Sequence, residues 1–205
     1  MPIRVLVVDD HALLRDGLVA AIQAQKDMVL VAEASNGLEA IDRFREHRPD
    51  VTLMDLQMPE MSGVEAIRTI RTDFPSARIL VLTTYKGDVT ARAALEAGAM
   101  GYLLKSTLRK ELADAIRGVH AGHRRIDVEI ATEIAEHVAE EALSRREIEV
   151  LQCLAAGHSN KAAAKQLGIS DETVKTHVTS ILAKLHARDR TDAVLIALRR
   201  GMILG

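Results

Sequence analysis

The first 122 residues alternate, five times over, a short run of aliphatic and β-branched residues with a longer stretch of helical periodicity. The runs are IRVLVV, MVLVAEA, VTLMD, ARILVLT and GYLLK; the stretches are ALLRDGLVAAIQAQ, GLEAIDRFREH, GVEAIRTIR, VTARAALEAG and LRKELADAIRGVHAG. Strands that are apolar almost throughout must be covered on both faces, and the intervening helices are long enough to cross back over a parallel sheet. A doubly wound α/β domain of five parallel strands, ending near Gly122, satisfies both constraints. Ligands of such sheets settle outside the carboxyl ends of the strands, where the strand order reverses. Polar residues at strand ends are therefore the ones to inspect.

Three acids stand there. Asp9 and Asp10 follow the first run and Asp55 ends the third, within VTLMDLQMPEMSG. Neighbouring strand ends bring the three carboxylates into one small site, where like charges repel by several kcal/mol unless a cation or proton intervenes. A bound Mg²⁺ is the economical solution, because it takes hard oxygen ligands, keeps waters and bridges carboxylates to phosphate. Such a site can activate a carboxylate as a phosphoryl acceptor. The fourth run ends in Thr83 and Thr84 and the fifth in Lys105, so a hydroxyl and an ammonium are available to neutralise and orient phosphoryl oxygens. Taken singly, each has a plainer role: a helix cap for an aspartate, a strand residue for Thr83, a solvated charge for Lys105. His11 reads as a cap or packing residue at the start of the first helix rather than a proton donor. Gln57 and Tyr85 flank the pocket.

The last third of the chain is of another kind. Residues 1–122 carry 15 Lys+Arg against 17 Asp+Glu, residues 123–142 carry 2 against 6, and residues 143–205 carry 10 against 6. All four prolines and all four aromatic residues precede position 103. Residues 123–142 place Ile130, Ile134 and Val138 four apart among acids, which predicts an amphipathic linker helix. A capping box, Ser144 with Glu147, then opens a basic, helical unit of a size and charge suited to nucleic acid. Within it Gly157 closes a first helix, Gly168 a second, and Ser170 caps a third. Val174, Val178, Ile181, Leu182 and Leu185 form the buried stripe of that third helix. Lys175, Thr176, Thr179 and Ala183 lie opposite, as on a helix that enters a major groove or on the solvated face of an ordinary bundle. The closing segment DRTDAVLIALRRG holds more apolar surface than three helices need.

No apolar run approaches the about 18 residues of a membrane span, and MPIRVLVVDD lacks the apolar stretch of a signal peptide, so the cytoplasm is the expected compartment. The lone Cys153, within VLQCLAAG, reads as a buried packing residue. No G-x-x-x-x-G-K-[ST] occurs, against a P-loop NTPase. A phosphohydrolase with an aspartate nucleophile would read D-x-D after the first strand, where this chain has DD.

VLVVDDH, DVTLMDLQMPEMSG, VLTTY and GAMGYLLKS resemble the receiver domain of two-component response regulators, over residues 1–121. LSRREIEVL, AAGHSNKAAAKQL and ETVKTHVTSILAKL resemble the LuxR-type helix-turn-helix, over residues 143–205, with residues 122–142 as a helical linker between. The combination is identified as a member of the NarL/FixJ family. The resemblance implies a flavodoxin-like receiver followed by an all-α domain of four helices. It implies Asp55 as phosphoacceptor, Mg²⁺ held by Asp10, Asp55, Asp9 and the backbone carbonyl of Gln57, Lys105 paired with the phosphoryl group, and Thr83 and Tyr102 as the switch pair. It implies a scaffold helix over 159–167 and a recognition helix over 171–186, with Lys175, Thr176 and Thr179 at base-facing or backbone-contacting positions of the DNA; Lys161, Lys165, Lys184, Arg188 and Arg190 read as phosphate contacts or, equally, as charges that serve solubility. Implied partners are a sensor histidine kinase, double-stranded DNA, RNA polymerase and, once phosphorylated, a second copy of the chain paired through the last helix. Ser106 stands where a proline often follows the lysine, and Ala163 where a larger aliphatic is usual.

Overall fold

The computed structural model describes residues 1–84, 88–126, 131–132 and 142–203, and of Asp88 and Arg109 the backbone only. These residues fall into two compact units, one holding Met1–Thr84 and Ala91–Ala131, the other built around residues 142–203.

In the first unit strand and helix alternate: β1 (Ile3–Val8), α1 (Ala12–Gln23), β2 (Met28–Ala34), α2 (Gly37–His47), β3 (Val51–Asp55), α3 (Gly63–Asp73), β4 (Ile79–Thr83), α4 (Asp88–Glu96), β5 (Gly101–Leu104), α5 (Leu108–His120) and β6 (Arg125–Ile126). All pairings are parallel, in the order β2-β1-β3-β4-β5-β6. Every residue of β3, β4 and β5 is buried, which is why these runs could not alternate with polar residues. On one face Val5, Val7, Leu53, Leu80, Leu82 and Leu103 pack with Leu18 and Ile22 of α1 and Leu112, Ile116 and Val119 of α5. Each such side chain contributes about 2 kcal/mol of burial. Because β1 has β2 on one side and β3 on the other, the strand order reverses between β1 and β3, and the acids lie at that reversal.

The sheet has a sixth strand where five were expected. Arg125 and Ile126 pair with Gly101 and Tyr102, and the Arg125 N–H donates to the Met100 carbonyl at 3.1 Å. These two residues belong to the sheet and not to the expected linker helix. A two-residue strand has no periodicity to announce it; it forms because β5 presents an open edge and Gly101 has no side chain, so that a Cβ there would stand 2.9 Å from the Arg125 carbonyl oxygen. Of the rest of the expected linker helix, Ala131 and Thr132 are helical, while Ile130, Ile134 and Val138 lie outside the described residues, as does Tyr85.

In the second unit the described residues form four helices, α6 (Arg145–Ala155), α7 (Asn160–Leu167), α8 (Asp171–Lys184) and α9 (Arg190–Arg199). Each start has a side-chain cap: Ser144 and Glu147 form the expected box, Ser159 accepts from the Ala162 N–H, Ser170 from Thr173, and Asp189 from Thr191 and Asp192. Gly157 and Gly168, at φ 80° and 66°, turn the chain out of α6 and α7. Val150, Leu151, Leu154, Val174, Ile181 and Leu185 make the core, joined by the buried Cys153 and by Ala163, which is fully enclosed. No helix among the described residues is long and apolar enough to cross a membrane.

Candidate functional site

Asp9, Asp10, His11 and Asp55 converge at the carboxyl end of the first unit's sheet, with one ligand atom of each within 4.8 Å of all the others. Lys105, just past β5, reaches into the same place: its Nζ lies 2.8 Å from Asp9 Oδ2 and 2.7 Å from Asp55 Oδ2. Asp9, Asp55 and Thr83 are buried. The Asp55 oxygens have different surroundings. Oδ1 accepts from the backbone N–H of Leu56 at 2.7 Å and of Gln57 at 3.3 Å, while Oδ2 faces Lys105. Burial pushes the Asp55 carboxyl above its ordinary range, opposed by the hydrogen bond and charge of Lys105. Burial also works against the Lys105 charge, yet the hydrogen bonds and charges of Asp55 and Asp9 outweigh it and hold the ammonium protonated.

Two features missed by the sequence reading hold the pocket in shape. Gly63 opens α3 directly beneath β3: its N–H donates to the Leu56 carbonyl at 3.0 Å, and a Cβ there would collide with the Asp55 carbonyl oxygen and come within 2.8 Å of Leu56 Cα. The only residue that fits is glycine, and its signal was its place directly after the capping serine Ser62. Arg15 braces the other wall, donating from Nη1 to the Asp9 carbonyl at 2.7 Å and pairing through Nε with Glu33 at 3.2 Å. Its position one turn into α1 was the signal.

His11 departs from expectation. It occupies the N-cap position of α1 but makes no side-chain cap bond, and its ring is exposed rather than packed, with Nδ1 2.8 Å from Asp10 Oδ1. The backbone N–H of His11 is fixed by Asp9 Oδ1 at 2.9 Å, which turns the chain and swings the ring toward Asp10. Thr84 is exposed; Tyr102 is fully buried on β5, paired in register with Val81.

The donor set suits a hard divalent cation. Asp10 Oδ1 is buried without a hydrogen bond, although the His11 nitrogen is near, and the cluster gathers three carboxylates, of which Asp9 and Asp55 already share the ammonium of Lys105. Excess negative charge lined with oxygen is the environment Mg²⁺ prefers over softer ligands.

In the second unit, Lys175, Thr176, Thr179 and Ala183 share the exposed side of α8, while Val174, Ile181 and Leu185 are buried. Lys175 forms surface pairs with Asp171 at 3.5 Å and Glu172 at 3.2 Å. The Thr176 and Thr179 hydroxyls donate to carbonyls one turn back, leaving their acceptor lone pairs outward. Lys161 and Lys165 are exposed. Arg188 is tied to Asp192 at 3.0 Å and Arg190 donates to the His158 carbonyl at 2.8 Å. Lys184 is not the surface cation it was expected to be. Its ammonium turns inward to Glu147 Oε2, 3.1 Å away, because that buried carboxylate would otherwise lack a counter-charge. Leu195 of α9 is half exposed.

Residues 5–117 match the family model of the response regulator receiver domain, and residues 141–197 that of bacterial regulatory proteins of the luxR family. The chain belongs to the response regulators of two-component systems, in the NarL/FixJ-type branch that joins a receiver to a LuxR-type DNA-binding domain. It is 39% identical to the response regulator protein VraR of Staphylococcus aureus, over 99% of this chain and 100% of the relative. Among solved structures it is similar to the response regulator ChrA of a heme-sensing two-component system, at 39% identity over 98% of this chain and 99% of that one, with a TM-score of 0.59. The fold is also that of RcsB from Salmonella enterica serovar Typhimurium, solved on promoter DNA with a phosphomimetic, at 24% identity over 96% and 98% of the two chains and a TM-score of 0.72. The protein is thus a transcription regulator with a DNA-binding domain and not a classical enzyme, and the phosphohydrolase reading falls.

Proposed function

We propose that a sensor histidine kinase phosphorylates this protein on Asp55, and that phosphorylation controls its dimerisation and its binding to promoters. The observation that carries the reading is the placement of the Lys105 ammonium between the Asp55 and Asp9 carboxylates at the sheet's reversal point.

Backbone N–H groups hold Oδ1, so Oδ2, which faces the Lys105 ammonium, is the oxygen that attacks phosphorus. As the new O–P bond forms, the bond to the donor's imidazole nitrogen breaks and that nitrogen takes a proton. Lys105 and the Thr83 hydroxyl then meet the phosphoryl oxygens. Asp10, Asp55, Asp9 and the backbone carbonyl of Gln57 would hold Mg²⁺, which when bound supplies charge neutralisation among the acids and the phosphoryl oxygens. Withdrawal of Thr83 toward the phosphoryl group opens room for Tyr102 to change rotamer, and the surface around β4 and β5 changes with it. Such a switch works by stabilising one of two states over the other.

In the second unit α8 enters the major groove, with Lys175, Thr176 and Thr179 toward the bases and Lys161 and Lys165 at phosphates. Two copies paired through α9 read half-sites about one turn of DNA apart, doubling the phosphate contacts. Residues 1–121, 122–142 and 143–205 act as receiver, linker and DNA-binding domain. RNA polymerase is the further partner and the cytoplasm the compartment.

Light scattering with Mg²⁺ and beryllofluoride, beside an Asp55→Ala control, tests this. The mass should double in the wild type and stay constant in the control, with a parallel gain in DNA affinity. Equal DNA affinity with and without the phosphoryl mimic would overturn the proposal.

A further inference from the structure

Glu147 is a buried acid that phosphorylation and base contact leave unused. It opens α6, yet its carboxylate is spent mostly on α8: Oε1 accepts from the Ser180 hydroxyl at 2.6 Å, and Oε2 from the Lys184 ammonium at 3.1 Å and the Ser144 N–H at 2.6 Å. Ser180 and Lys184 stand one turn apart on one flank of α8, between the buried stripe and the side that carries Thr176. Lys184 also donates to the Ala142 carbonyl at 3.4 Å. These bonds hold the Glu147 carboxyl at about 2, despite a burial that by itself would raise it.

We infer that Glu147 is a positioning residue for DNA recognition: by gripping Ser180 and Lys184 it fixes the roll of α8 about its own axis, and so decides which side chains face the duplex. The inference rests on the reading of α8 as the recognition helix. The apolar stripe of Val174, Ile181 and Leu185 holds α8 to the core, but hydrophobic contact is non-directional and sets the roll angle weakly. Hydrogen bonds to a carboxylate anchored in a helix cap are directional. The margin is small: a roll of about 20° moves a side-chain tip about 6 Å from the axis by about 2 Å, enough to break a base contact.

The test uses the full chain with Mg²⁺ and beryllofluoride, and two probes: a duplex selected by the wild type from a random pool, and an alternating dI-dC duplex. Ser180→Ala and Glu147→Gln should each lower the ratio of selected to alternating affinity by about tenfold, the scale of one lost base contact. Binding to the alternating duplex, which depends on phosphate contacts, should stay within about twofold. Ser180→Thr, which restores a hydroxyl, should recover the wild-type ratio. If Glu147→Gln fails to fold, the half-buried Ser180 carries the test alone. An unchanged ratio in Ser180→Ala, with only a lower melting temperature, would make Glu147 a stability residue and overturn the inference. Should Lys175→Ala together with Thr179→Ala leave both affinities at wild type, α8 is not the reading helix and the inference falls with that reading.

Discussion

Each unit of this protein buries a carboxylate against a lysine, and the two arrangements are opposites. Around Glu147 the account closes: one acid, one ammonium, one hydroxyl and one backbone N–H, with the carboxyl held at about 2. Around Asp55 it does not, since Asp55 and Asp9 share the ammonium of Lys105, Asp10 adds a third carboxylate to the cluster and burial pushes the Asp55 carboxyl up. A satisfied buried acid fastens helices together; an unsatisfied one invites a cation and a phosphoryl group. Charge balance, more than residue type or burial, separates a structural pair from a reactive one.

The largest effect should come from the glycine beneath Asp55, set against one that ends a helix of the second unit. Gly63→Ala forces a Cβ into the Asp55 backbone and should cost the first unit about 3 kcal/mol or more. Gly168→Ala meets nothing within 4 Å and strains only a φ of 66°, about 1 kcal/mol from the second unit. Calorimetry resolving the two transitions reads both, and equal losses would show that close approach at Asp55 does not matter.

The lysines come next. Lys105→Met abandons the Asp9 and Asp55 carboxylates and should cost about 3 kcal/mol, partly restored by millimolar Mg²⁺. Lys184→Met leaves Glu147 its hydroxyl and N–H and should cost about 1.5 kcal/mol, with no response to Mg²⁺. Urea denaturation of each variant with and without the metal measures the contrast, and a Mg²⁺ response in both would erase it.

Acid should separate the pairs by sign. Glu147, lowered from 4.5 to about 2, contributes stability that is whole above about 4.5 and disappears as pH falls toward about 2. The advantage of the wild type over Glu147→Gln should therefore vanish across that window. Asp55 is raised, so its charge opposes folding above its own pKa and ceases to as pH falls through it. Asp55→Asn should accordingly melt higher than the wild type at neutral pH, and the gap should close in acid. The smallest effect is a gain. Thr52 is fully buried in β3 and its Oγ1 has no hydrogen-bond partner among the described residues, so Thr52→Val should add about 1 kcal/mol to the first unit and nothing to the second.

Much of this was legible in the sequence, for reasons that also mark where reading stops. Buried strands carry long apolar runs, so β1 to β5 and the meeting of Asp9, Asp10, Asp55 and Lys105 at their ends could be inferred from spacing. Caps are local chemistry, so Ser144, Ser170 and Gly168 marked helix ends four residues at a time. β6 was invisible because two residues have no period and pair only with an edge that exists after folding. Lys184 misled because a lysine on a basic helix looks solvated until Glu147, 37 positions earlier, is known to lie beneath it. His11 misled because cap geometry depends on how the Asp9 side chain turns the backbone.

The sixth strand has a mechanical consequence. Ile126 sits in register with Tyr102, and β6 runs parallel to β5, the strand that precedes Lys105. Tension along β6 loads the β5–β6 bonds in shear, together rather than one by one. β6 is thus fastened to the strand that carries Tyr102, and a pull on it is felt there before it reaches any other part of the sheet.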